Sequence, residues 1–119
     1  MNNKKISINY FNDYKNNTNN YILYMGLNDK NTKRQKIRTK KAIKYLQQYL
    51  FNNDINATIS LCKGLYKHEG GQKVKENTIK IELLFIEENK ILSMIEDLKK
   101  DYNQETIAVQ KILVNATLI

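Results

Sequence analysis

With 119 residues the chain is long enough for one hydrophobic core and too short for two, so a single domain is expected. Apolar residues make up 41% and charged residues 27%, which excludes the disordered class. No apolar run reaches the length of a membrane-spanning helix, and Met1 to Tyr10 lacks the continuous apolar stretch of a secretory signal. One cysteine, Cys62, and one histidine, His68, can close neither an internal disulfide nor a zinc-type cluster. A metal-free, cofactor-free domain in a reducing cytosol is the expectation.

Residues 1–20 are rich in Asn and Lys and read as a loosely held tail, with Ile6 to Tyr10 alternating in a way that would suit an extra edge strand. Residues 21–119 form the domain. The segment Tyr21–Leu27, YILYMGL, is aromatic and β-branched enough for a buried strand, closed by the turn chemistry of Gly26, Asn28 and Asp29. Thr39 is the expected N-cap of a helix whose apolar residues Ala42, Ile43, Leu46, Tyr49 and Leu50 recur at helical spacing, ending near Asn52 and Asn53.

Two alternating segments follow, Ile59 and Leu61 in the first and Ile79, Ile81, Leu83 and Phe85 in the second. Directly paired residues share a face, so Leu61 must oppose Ile79 or Ile81, and the hairpin loop must have odd length and centre on Gly70 or Gly71. A second helix carries Ile91, Ile95, Leu98 and Tyr102 on one stripe. Ile107 and Val109 open the last strand, and the shift of apolar parity to Ile112 and Val114 predicts a bulge near Lys111 or burial on both faces.

The order strand, helix, strand, strand, helix, strand is that of the split βαβ unit, an α+β ferredoxin-like βαββαβ fold with a four-stranded antiparallel sheet and two helices on one face. The other face then carries Thr58, Ser60, Cys62, Tyr66, Thr78, Lys80 and Glu82, polar enough to meet water, a ligand or another subunit. The expected core is Ile43, Leu46, Leu50, Ile59, Leu61, Ile79, Ile81, Leu83, Ile91, Ile95, Leu98, Ile107 and Val109. In the strings Tyr24–Leu27 (YMGL), Gly64–Tyr66 (GLY) and Asn103–Val109 (NQETIAV), the chain is similar to a group of small bacterial proteins with this element order. That resemblance implies the ferredoxin-like fold and carries no activity, because the group has none that is settled.

Charge is the main functional signal. The formal net charge is +8, and Lys30, Lys33, Arg34, Lys36, Arg38, Lys40, Lys41 and Lys44 follow one another with no acid among them. Glu76 to Glu105 is predominantly acidic, so the molecule is electrically bipolar. The basic run spans the loop after the first strand and the start of the first helix, where backbone N–H groups also favour anions. It reads as a polyanion site for nucleic acid or a nucleoprotein, with salt-dependent and largely sequence-independent affinity. A solvated, solubilising face is the competing reading. An acidic protein surface and a second copy of the chain are the other partners this charge distribution admits, with no membrane partner.

Catalytic signals are few. Cys62 and His68 are separated by about 20 Å along one extended strand and cannot meet within it. Tyr66, His68, Glu69 and Glu76 form a hairpin-tip cluster in which a titratable pair would serve acid/base chemistry. No phosphate-cradling glycine motif, nucleophile elbow or metal spacing occurs, and the third strand's outward Thr78, Lys80, Glu82 and Leu84 lack the base-stacking aromatics of ferredoxin-like RNA binders. The sequence-based expectation is a non-enzymatic module docking on nucleic acid or nucleoprotein through its basic edge. The Asn/Lys/Ile-rich, proline-free composition suits an accessory protein of a low-GC bacterium or its phage, an anti-CRISPR type of inhibitor being one concrete form. The alternative is a homo-oligomeric regulatory domain that binds a nucleotide or small anion between subunits.

Overall fold

The computed structural model describes residues 17–119. Its elements are β1 (Asn17–Gly26), α1 (Thr39–Asn52), β2 (Thr58–Lys67), β3 (Lys73–Leu83), α2 (Glu88–Asp101) and β4 (Ala108–Asn115). The strands form one sheet in the order β2-β3-β1-β4, each neighbouring pair antiparallel. This is the α+β ferredoxin-like fold. The Ile6–Tyr10 alternation lies outside the described residues, and β1 begins at Asn17, four residues before the apolar run that marks it in the sequence.

Register follows the apolar alternation. Leu61 pairs with Ile79 and Ile59 with Ile81, so the five residues between Lys67 and Lys73 centre on Gly70. The turn closes through Gly71 N–H donating to the His68 carbonyl, with Gly71 at φ 83°, a backbone conformation that suits glycine. On one face of the central strands Tyr21, Leu23 and Met25 meet Leu83, Ile81 and Ile79. Against them pack Ala42, Leu46 and Leu50 of α1 and Ile91, Met94 and Leu98 of α2. Ile43, Ile59 and Ile95 are only partly buried, at the margin of this core.

Two groups of contacts hold α1 to α2. Tyr45 and Tyr49 donate to Asp101 (3.1 Å) and Asp97 (2.5 Å), and the buried Tyr102 donates to the Ala42 carbonyl at 2.6 Å. Tyr45 and Tyr102 also meet edge to face, 5.8 Å between ring centres. Both helix faces are thus fixed by hydroxyls that leave the apolar stripes free to pack.

Four expectations from the sequence are corrected. Thr39 is the first helical residue and Arg38 stands at the cap position, because the Thr39 hydroxyl accepts from Gln35 Nε2 at 2.9 Å and Asn77 Nδ2 at 3.2 Å. Leu61 is 53% exposed, since β2 is an edge strand that runs out beyond the helix layer. Val109, on the opposite edge strand, is 43% exposed for the same reason. No bulge interrupts β4: Asn17↔Asn115 through Tyr24↔Ala108 is one unbroken ladder, and Ile112 and Val114 fall on the helix-free face of a strand whose residues are mostly exposed.

Leu83→Ala or Leu98→Ala should therefore cost ~2–5 kcal/mol in urea unfolding, while Leu61→Ala should cost less than ~1 kcal/mol.

Candidate functional site

The helix-free face of the sheet is not flat. At the end where β1 leaves the sheet it holds a cleft of about 710 Å³, floored by β1, β2 and β3 and walled by residues 28–33, the turn before β4 and the hairpin tip. At its centre lies Glu76. Its partner across β2 is Gly64, and on its other side stands Gly26 of β1, paired with the neighbouring Thr78.

The two glycines make the space in which Glu76 lies down. A Cβ on Gly26 would collide with the Glu76 carboxylate itself, and one on Gly64 would come within 2.8 Å of Thr78 Oγ1 and 3.5 Å of Glu76 Cγ. With both absent, the carboxylate rests across the strand surface and is held at two points. Asn28 N–H donates to Oε2 at 3.0 Å, and the Tyr66 hydroxyl donates to Oε1 at 3.2 Å. Burial and the adjacent Glu76 charge push the Tyr66 hydroxyl above its ordinary value, so it remains a donor at neutral pH. The carboxylate is oriented, half-buried and still open to the cleft.

The wall at residues 28–33 is built as firmly. Buried Asp29 accepts from the Asn31 and Thr32 amides (3.0 and 3.1 Å) through one oxygen and from Asn103 Nδ2 (2.7 Å) through the other. The Asn103 hydrogen bond, then the Thr32 amide, outweigh burial and hold its carboxyl at about 2. Lys33 closes the loop by donating its N–H to the Asp29 carbonyl, at φ 62°, a left-handed conformation uncommon outside glycine. Gln104 Nε2 donates to the Asn28 carbonyl at 2.7 Å, which ties the loop to the turn before β4.

The basic run is thereby divided. All eight residues are exposed, yet only Lys30 and Lys33 reach the cleft, while Arg34, Lys36 and Arg38 follow along the loop and Lys40, Lys41 and Lys44 lie on α1. Of the hairpin-tip group, Tyr66 and Glu76 are bonded, and His68 meets the Tyr66 ring edge to face at 5.7 Å. Glu69 sits in the exposed turn outside the cleft lining. Cys62 lines the floor beside Gly64. Sequence reasoning gave no role to Gly26, Gly64 or Asn28 in the site. The available signal was two glycines interrupting strand patterns, which marks close approach of another group.

No family model and no curated relative matches the chain. Among solved structures it is similar to phage SAM lyase. In complex with S-methyl-5'-thioadenosine that protein superposes with a TM-score of 0.60 at 18% identity, covering 83% of this chain and 90% of the other. Its apo state gives 0.57 at 17% identity, covering 90% and 96%. The shared property is the fold. The expectation of a non-enzymatic docking module is corrected on this finding, because both of these solved structures are of a protein described as a lyase. The sequence misled because its one long motif was the basic run, whereas Gly26, Gly64, Tyr66 and Glu76 meet only through strand register.

The Asp29 lock gives a pH dependence of known sign. Its carboxyl titrates near 3.8 when unfolded and at about 2 when folded, so its contribution is complete above pH 4 and is lost as pH falls toward 2. Thermal melts of Asp29→Asn should lie below wild type at pH 7, and the gap should close across that window.

Proposed function

We propose that this protein is an enzyme acting on S-adenosylmethionine, a lyase that cleaves the bond between the sulfonium sulfur and the aminobutyryl arm and releases S-methyl-5'-thioadenosine. The observation that carries the reading is the glycine-cradled Glu76 carboxylate in a cleft of about 710 Å³, a size suited to a ligand of this class. The fold shared with phage SAM lyase supports it.

The chemistry asks little of the protein besides placement. Sulfur takes the bonding electron pair and loses its charge, and the arm satisfies its open carbon from within, by closure of its own carboxylate oxygen onto that carbon or by loss of a β-proton to a carboxylate of the cleft. No water enters either balance. A carboxylate beside the sulfonium would favour the starting state, because that charge disappears as the bond breaks. The α-ammonium keeps its charge throughout, so it is the group Glu76 serves best, orienting the arm while Tyr66 fixes the carboxylate in turn.

Incubation of the purified protein with S-adenosylmethionine, followed by chromatography and mass spectrometry, should show S-methyl-5'-thioadenosine accumulating. Glu76→Gln should lower kcat/KM by roughly 10²-fold or more. Gly26→Ala should fold normally, because the clash falls on the mobile end of a side chain, yet it should lose activity comparably by displacing that carboxylate. Absence of turnover by the wild-type protein, or full activity in both variants, would refute the reading.

A further inference from the structure

We propose that Lys30 and Lys33 form the specificity wall of this cleft, taking the α-carboxylate of the substrate's amino-acid arm opposite Glu76. The inference rests on the proposed lyase reading and adds to it a means of telling substrate from product.

Four observations carry it. Lys30 and Lys33 are the two members of the basic run that line the cleft. Neither shares an ion pair with an acidic side chain among the described residues. Asp29, the nearest acid in sequence, has both oxygens engaged by Asn103 and by loop amides and is held ionised inside the wall. It is therefore committed to shaping the loop, and the two ammonium groups are left to the cleft. The backbone beneath them is fixed, with Lys33 in a left-handed conformation closed onto the Asp29 carbonyl and Lys30 N–H donating to the Asn103 carbonyl at 3.1 Å. Strained, over-determined backbone at a cleft rim marks a binding element.

The charge pattern then matches one class of ligand. Lys63, Lys73, Lys75 and Glu105 also line the cleft, Lys63 being engaged by Asn77. The hydrogen-bonded Glu76 carboxylate on the floor and the two lysines of the ordered wall are the pair complementary to a zwitterionic α-amino acid end carried on a larger body. S-methyl-5'-thioadenosine lacks that end. A wall that grips the carboxylate holds the intact substrate and loses its hold once the arm is cleaved, so product leaves more readily than substrate.

S-adenosylhomocysteine keeps the amino-acid arm but lacks the sulfonium that makes cleavage easy, so it reports arm binding without turnover. Its Kd and that of S-methyl-5'-thioadenosine should be measured by calorimetry for wild type, Lys30→Gln/Lys33→Gln and Lys30→Arg/Lys33→Arg. The glutamine variant should weaken S-adenosylhomocysteine by roughly tenfold or more, as expected for loss of charge-assisted hydrogen bonds. It should leave S-methyl-5'-thioadenosine within about twofold, and the arginine variant should restore most of the loss. Equal weakening of both ligands would make the lysines only shapers of the cleft and overturn the proposal, as would no change in either. In both cases wild-type cleavage of S-adenosylmethionine would stand. A wild-type protein that binds neither ligand would remove the lyase reading and this inference together.

Discussion

The site depends on one steric allowance: Glu76 lies flat on the sheet because the residues flanking it on both neighbouring strands have no Cβ. A glutamate in the middle of an ordinary strand stands up from the face and is solvated on all sides. Here the strand register brings Gly64 directly opposite and Gly26 alongside, and the freed volume lets the carboxylate reach the Asn28 amide and the Tyr66 hydroxyl. Orientation of the charge follows from that space. So does the position of the loop whose amide it accepts.

The wall and the floor are linked through the packing of the helices. The Tyr102 hydroxyl, bonded to the Ala42 carbonyl, fixes the end of α2 against α1. Immediately beyond, Asn103 turns through φ 49° and offers its side chain to Asp29, and Gln104 reaches the Asn28 carbonyl. On the opposite side Asn77 of β3 donates to Gln35 and Thr39, and Lys63 donates to Asn77. The segment that reads in sequence as a free cationic arm is thus bolted at both ends, and its charges project from a rigid frame. Rigidity of this kind suits recognition of a small ligand, for which positions must hold to a fraction of an ångström.

The basic run is one feature along the chain and three in space. Eight positive residues in fifteen are a strong signal in one dimension, and polyanion binding is a reasonable physical inference from them. In three dimensions they divide between a cleft wall, an exposed loop and an outer helix face. Only two of them share a space with the oriented carboxylate.

Element order, the apolar faces and the parity of the hairpin are legible in the chain, because side-chain alternation and helical spacing are local properties set by burial. That Leu61 opposes Ile79 or Ile81, and that Ile91 and Leu98 share a stripe, follow from that periodicity alone; the ladder decides for Ile79. Tyr66 and Glu76 are legible only as members of a hairpin-tip group with His68 and Glu69, and the structure bonds those two. Tertiary structure alone decided that Leu61 is exposed, since only the position of an edge strand relative to the helices shows which apolar residues remain uncovered. It alone brought together Gly26, Gly64 and Glu76, fifty residues apart at the extremes, because a cleft arises where separate strands approach and no single segment carries its shape.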